Sequence, residues 1–360
     1  MIKGNKGDWS EFYAFLKILT EGKMFTANKD LEILKDNFYV VLKIIREETE
    51  GRKSYDISRG DGKVVISDES ELLRDVVELE KLKDRVAKIF EEMKNSKSTT
   101  FGVLIAEETM RDLHCSQIKA SSGRKADIII VLHDKKSPTF PELGFSVKSM
   151  LGSPSTLLNA SGATNFIFRI VESDNVSEDI ESFNGALTVR DKAKHIYGSG
   201  GNLEYLGMSS EGFRKNLRKI DSNFPEIIAE IIKHYYNGKG PKVSDLVNYI
   251  SEDTEFCSKL DLNKSDFIFK VKRFLSDVAL GMTPKKEWDG YAKAHGGYVI
   301  VKENGEVVCY HIYNRDEFEE YLYNNTKLDT PSTTRHKFGD VYEEKGEKKI
   351  KYNLQIRFIK

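Results

Sequence analysis

Apolar residues along the chain change period from region to region. In "ESELLRDVVELEKLKDRVAKIFEEMK", residues 69–94, Leu and Val recur at helical spacing with charges on the opposite face, predicting one long amphipathic packing helix. "DWSEFYAFLKIL" predicts an earlier helix that is apolar almost all round, and "NFYVVLKIIREE" fits either a helix or a strand. Residues 127–132 are β-branched and apolar, as in a buried strand, and residues 142–149, preceded by Pro138 and Pro141, predict a second. "PSTLLNAS" predicts a short helix capped by Ser153 or Ser155, and "TNFIFRIV" a third strand. Strand, strand, helix, strand is an α/β core. Helices are expected again over 225–237, 243–251 and 264–280. A hairpin turning at Asn304-Gly305, the helix "RDEFEEYLYNN", a polar loop and a closing hairpin across Lys345-Gly346 follow. The expected organisation has three parts: a helical region contributing to the core (1–100), the α/β core (101–200) and a mixed α+β region (201–360).

At 360 residues, 39% hydrophobic and 31% charged, the chain has material for more than one core. No run approaches the ~18 apolar residues of a membrane span, so no membrane partner is expected. "MIKGNKGDWSEFY" lacks the apolar centre of a leader peptide. Cys115, Cys257 and Cys309 are odd in number and lack metal-ligand spacing, which reads as reduced thiols in the cytoplasm and argues against a zinc site. The net charge of −1 argues against coating nucleic acid by bulk attraction. Local excesses exist. Residues 68–92 hold nine Asp/Glu against five Lys/Arg, net −4. Residues 111–148 hold seven Lys/Arg against four acids, net +3, and residues 335–360 eight against four, net +4.

The central strands carry the candidate chemistry. Asp127 opens its strand after "SSGRKA", whose Arg124 and Lys125 suit a phosphate backbone. Period-two alternation puts Glu142, Gly144, Ser146 and Lys148 on one face of the next strand. A magnesium ion takes one or two carboxylates plus waters and substrate phosphate, and a lysine beside it can orient a water or balance charge on the phosphate. The plain alternatives are a turn-forming Asp and a surface Lys.

"ADIIIVLHD" with "LGFSVKSMLGSPSTLLNASGATNFIF" resembles the core of the HpaII family of type II restriction endonucleases, a branch of the PD-(D/E)xK nucleases. "NKGDWSEFYAFLKIL" and "NTKLDTPSTTRHKFGDVYEE" resemble the two ends of that family. The resemblance implies an α/β fold with a PD-(D/E)xK core over 101–200, helical N-terminal and mixed α+β C-terminal additions, and DNA recognition in 201–360. It also implies a magnesium-dependent DNA endonuclease, with Asp127 as metal ligand and Lys148 as catalytic lysine. Two positions depart from the pattern. Ala126 replaces the proline, and Ser146 replaces the second acid.

Three sources for the missing carboxylate can be compared. Glu142 is six strand residues from Lys148, about 20 Å at ~3.3 Å per residue. Glu107 and Glu108 need a favourable fold to approach Asp127. Glu11 shares a helix face with Ala14, Phe15 and Ile18 in an almost wholly apolar helix, which aims it inward. Against this, "DWSE" is also a capping box, with Asp8 as N-cap and Glu11 reaching back. Glu11 is taken as the second ligand and catalytic acid, with Ser146 as a neutral spacer or water ligand.

For recognition, 325–337, "NTKLDTPSTTRHK", is read as a polar loop in which Lys327, Ser332, Thr333, Thr334, Arg335, His336 and Lys337 contact DNA; Arg can read guanine through O6 and N7. Thr156 and Asn159 are the polar candidates directly after Lys148. The resemblance implies double-stranded DNA as substrate and a short palindromic target, CCGG in the family's namesake. It also implies a homodimer at least on DNA and a cognate DNA methyltransferase as genetic partner. A repair or structure-specific nuclease, and a catalytically silent DNA-binding protein for which Ser146 speaks, are the alternatives.

Overall fold

The computed structural model describes residues 2–70, 72, 74–119, 126–133, 140–171 and 180–359. Arg124, Lys125 and Pro138 lie outside them. The chain folds into two compact units, Met1–Ser155 with Ala292–Tyr321, and Thr156–Tyr291 with Leu322–Ile359, where the sequence reading uses three consecutive parts. Among the described residues, no helix is long and apolar enough to cross a membrane.

The first unit begins with α1 (Lys6–Glu21), β1 (Lys23–Ala27), β2 (Ile33–Glu48), β3 (Gly51–Asp56), β4 (Lys63–Asp68) and β5 (Arg74–Glu78). It continues with α2 (Leu79–Asn95), α3 (Leu104–Asp112), β6 (Ile128–His133) and β7 (Glu142–Ser149). "NFYVVLKIIREE" is strand: its β-branched run forms part of β2, which pairs with β1, β3 and β6 at once. A register shift at Val41/Lys43 lets so long a strand serve these partners. The helix expected over 69–94 begins only at Leu79, because Arg74–Glu78 adds to the sheet beside β4. Helical spacing in the sequence does not reveal that an edge strand is waiting for a partner.

The second unit holds β8 (Thr156–Leu158), β9 (Asn165–Val171), α4 (Ile180–Ala186), α5 (Val189–Gly198) and β10 (Asn202–Met208). Helices α6 (Glu211–Arg218), α7 (Phe224–Tyr236), α8 (Val243–Glu252), α9 (Thr254–Leu260) and α10 (Lys264–Leu280) follow, three of them close to the expected spans. The helix expected in "PSTLLNAS" is instead β8, since three β-compatible residues gain ladder partners from β16 (Ile356–Phe358). "TNFIFRIV" is strand as expected, but β9 lies in a four-stranded sheet between β10 and β15 (Glu347–Asn353), apart from β6 and β7.

The hairpin β11 (Gly297–Val301) and β12 (Val307–His311) returns to the first unit, β11 pairing parallel with β7. After α11 (Arg315–Asn324) come β13 (Thr326–Leu328), α12 (Thr333–His336) and β14 (Val341–Glu344), which closes a hairpin with β15. The expected polar loop 325–337 therefore contains a short strand and one helical turn.

Nine strands of the first unit run β1-β12-β11-β7-β6-β2-β3-β4-β5, and β1 also pairs with β2, so the first six close into a ring. α1 is apolar over most of its surface because most of it is buried: Trp9, Phe12, Phe15, Leu16 and Leu19 are each 0% exposed. They share a core with Ile128 and Ile130 of β6 and Phe145 and Val147 of β7. A mostly buried helix lying on the strands that carry Asp127 and Lys148 is what positions the site.

Candidate active site

Asp127 directly precedes β6 and is fixed to β7 by main chain and side chain together. Its amide donates to the Phe145 carbonyl at 2.8 Å. Its Oδ2 accepts from the Ser146 hydroxyl at 2.9 Å and from the Val147 amide at 2.7 Å. Among the described residues, Oδ1 has no hydrogen-bond partner. Close approach of the two segments depends on Gly144, where a Cβ would come within 2.7 Å of the Ala126 Cβ. A glycine on β7 and a small residue before Asp127 thus go together. Ser146 is neither exposed nor idle: it is 6% exposed and donates to the acid.

Lys148 stands two residues further along the same face of β7, partly exposed. Its Nζ lies 5.3 Å from the ring centroid of Tyr298, a buried residue of β11 paired in register with Ser146. The Tyr298 and Phe318 rings pack with centroids 5.3 Å apart at an interplanar angle of 66°.

Glu11 comes to the same place from α1. Ser10 and Ser149 hydroxyls meet at 2.7 Å, joining helix to strand beside Glu11 on one side and Lys148 on the other. The Glu11 carboxyl is pushed up to about 8, first by burial and then by the negative charge of Asp127, with Asp8 adding to the rise. Lys119 and Lys148 act in the opposite direction. These four charges place Glu11 in the Asp127 and Lys148 neighbourhood.

The capping box of α1 is not the one expected. Asn5 is the N-cap; its Oδ1 accepts from the Asp8 amide at 3.0 Å, and Asp8 Oδ2 accepts from the Asn5 amide at 3.0 Å. Asp8 is therefore the third helical residue, and Glu11, three further on, has no part in the cap. Of the other candidate acids, Glu107 accepts from the Ile2 amide at 2.6 Å, Glu108 is exposed, and Glu142 pairs with Arg52.

Sequence reasoning missed Lys119, Tyr298, Ser10 and Ser149. The Ser10 signal was a hydroxyl inside an apolar helix; the others become visible only through pairing between distant segments.

Asp127 and Glu11, with the Ser146 hydroxyl beside them, make an all-oxygen donor set. It suits a hard cation that keeps several waters and would relieve the repulsion between two neighbouring carboxylates. Among the described residues, no group of three or more His, Cys, Asp or Glu is arranged to hold a metal.

In the second unit, Lys327 of β13 lies opposite Arg357 of β16, and Arg357 opposite Thr156 of β8, in one row across a three-stranded sheet. Arg357 was not among the expected contacts, and it also pairs with Asp329 at 3.3 Å. Arg335 is exposed on α12. The Ser332 hydroxyl caps that turn by accepting from the Arg335 amide at 3.3 Å. The carbonyls of His336 and Lys337 accept from the Asn165 amide group at 2.9 and 3.4 Å. Thr333, Thr334 and Lys337 help to line a cleft of about 350 Å³. Asn159 is exposed beyond β8. The candidates fall into two local groups, around Arg357 and around α12.

A curated protein from Haemophilus parainfluenzae, "Type II restriction enzyme HpaII", is 40% identical over 359 residues, covering 99% of each chain. No solved structure matches significantly. The HpaII restriction endonuclease family profile matches residues 5–358, and with a full-length relative at that identity the chain belongs to this family.

Proposed function

We propose that the protein is a type II site-specific deoxyribonuclease that makes magnesium-dependent double-strand cuts at a short palindrome, with CCGG the first target to test. The observation that carries the catalytic assignment is the convergence of Asp127, Lys148 and Glu11 from a strand start, a strand end and a helix. Family membership supports DNA as the substrate. Type II restriction enzymes generally use a divalent metal, and magnesium is the ion proposed here.

Asp127 and Glu11 would hold the magnesium ion, which supplies positive charge against phosphate oxygens and makes water more acidic. Ser146 and the Val147 amide fix one Asp127 oxygen, so the carboxylate is oriented before any ligand arrives. Lys148, steered by the Tyr298 ring, donates to the scissile phosphate or to the attacking water and balances the growing charge. Ser146 thus takes the place of the family pattern's second acid without its charge, and Glu11 supplies that charge from α1. Arg335, Lys337, Lys327 and Thr156 are proposed to contact DNA, Arg335 by reading guanine. A palindrome cut on both strands calls for a two-fold dimer on DNA, and a methyltransferase as genetic partner.

Incubating the purified protein with plasmid and magnesium tests the reading. Discrete fragments support it, smears point to an unspecific or structure-specific nuclease, and intact DNA that shifts in a gel points to binding alone.

A further inference from the structure

Lys119 has no role in the mechanism above, yet the three residues before it are held more firmly than a surface lysine requires. The segment before it is anchored by a buried ion pair on β2, Arg46 Nε to Glu48 Oε1 at 2.8 Å, with side chains 2% and 0% exposed. Glu48 Oε2 accepts from the Ser116 amide and hydroxyl, each at 2.8 Å, and from the Gln117 amide at 3.2 Å. Arg46 Nη2 donates to the Gln117 carbonyl at 2.8 Å and the Ile118 carbonyl at 3.3 Å. The same guanidinium lies 5.0 Å from the Phe15 ring centroid and 5.7 Å from that of Phe12. Both rings belong to α1, Phe12 directly after Glu11 and Phe15 one turn beyond it. One buried cation therefore links the helix that carries Glu11 to the residues just before Lys119.

Lys119 leaves this anchor with its side chain 54% exposed and its Nζ 2.9 Å from Asp8 Oδ1. Asp8 is itself held by the α1 cap, one turn before Glu11. The Lys119 charge acts on Glu11 and Asp127 as well as Asp8. An exposed ion pair with Asp8 contributes little by itself and does not call for so many buried polar contacts.

We propose that Lys119 is a further phosphate-contacting residue of the active site, delivered to its mouth by the Arg46–Glu48 pair. The assignment rests on the endonuclease reading. Asp127 sets a negative charge where a phosphate would lie, and Lys119 with Lys148 sets two ammonium groups against it. Asp8 holds Lys119 in place in the free protein, and Lys119 exchanges Asp8 for a phosphate oxygen when DNA binds.

The test is titration of a labelled CCGG duplex and a scrambled duplex against wild type, Lys119→Gln and Lys119→Arg at several salt concentrations. Calcium, another hard oxygen-seeking cation, replaces magnesium. Lys119→Gln is expected to weaken both duplexes alike and to flatten the log–log salt slope by about 1, and Lys119→Arg to restore most of the slope. An unchanged affinity and slope for Lys119→Gln, with wild type binding, would leave Lys119 as a partner of Asp8 and overturn the assignment alone. Weakening confined to the CCGG duplex also overturns it, because the contact would then be to a base. Wild type that binds neither duplex overturns both this assignment and the endonuclease reading.

Discussion

The Ser146 hydroxyl donates to Asp127 Oδ2 at 2.9 Å, so a buried serine on β7 holds the acid that directly precedes β6. Ser146→Ala removes that bond at a 6% exposed position and should cost about 1 kcal/mol of stability. Cleavage should slow but persist, because the Val147 amide still holds the same oxygen. Urea unfolding beside single-turnover cleavage checks this; complete loss of cleavage in a folded sample would make Ser146 a direct participant.

Asp127→Ala and Lys148→Ala should each abolish cleavage while retaining binding to cognate duplex, since neither is assigned to base reading. Gel shifts and plasmid cleavage on the same preparations decide. Parallel loss of binding and cleavage, with the fold intact, would take both residues out of the catalytic role.

Glu11 links pH to stability. Its carboxyl is pushed from an ordinary 4.5 up to about 8 by burial and by Asp127, so the folded protein holds this proton more tightly than the unfolded chain. The associated stability is present below about 4.5 and is lost as pH rises to about 8. Metal-free wild type should therefore lose melting temperature over that range relative to Glu11→Gln, and magnesium should restore wild type selectively near pH 8. Glu11→Gln should also slow cleavage by about 10-fold or more and need more magnesium. Melting curves that stay parallel across pH, with and without metal, would count against Glu11 as a ligand.

Arg335 is exposed on its helical turn with its side chain available to solvent. If it reads guanine, Arg335→Ala should cost roughly 1–3 kcal/mol of discrimination between cognate and scrambled duplexes. Titrations at two salt concentrations separate this from a phosphate contact, which would weaken both equally. No change in either would reduce the turn to a structural role.

The Arg46–Glu48 pair should resist apolar replacement. Arg46→Met alone leaves a buried carboxylate unpaired and should destabilise by ~3–5 kcal/mol. Adding Glu48→Leu removes that charge but strands the Ser116 and Gln117 amides, so the double variant should remain at least ~2 kcal/mol less stable than wild type. Urea unfolding of the three proteins measures it, and a double variant as stable as wild type would contradict the anchoring role.

Much of the candidate site is legible in the chain itself. Asp127 before a β-branched run, Lys148 on the small-residue face of an alternating strand, and Glu11 in an otherwise apolar helix are local patterns with local causes. The strand Glu142–Ser149 and the helices after residue 220 followed for the same reason, because hydrophobic period reports which face of an element is buried. Tertiary structure decided what depends on partners from elsewhere. It turned 74–78 and 156–158 into strands by giving them ladder neighbours, and drew the hairpin 297–311 back beside β7 so that Tyr298 lies against Lys148. It also moved the cap of α1 to Asn5, which leaves Glu11 outside the cap. Sequence period describes one element at a time; pairing, burial of charge and the choice among competing caps are settled only when separate segments meet.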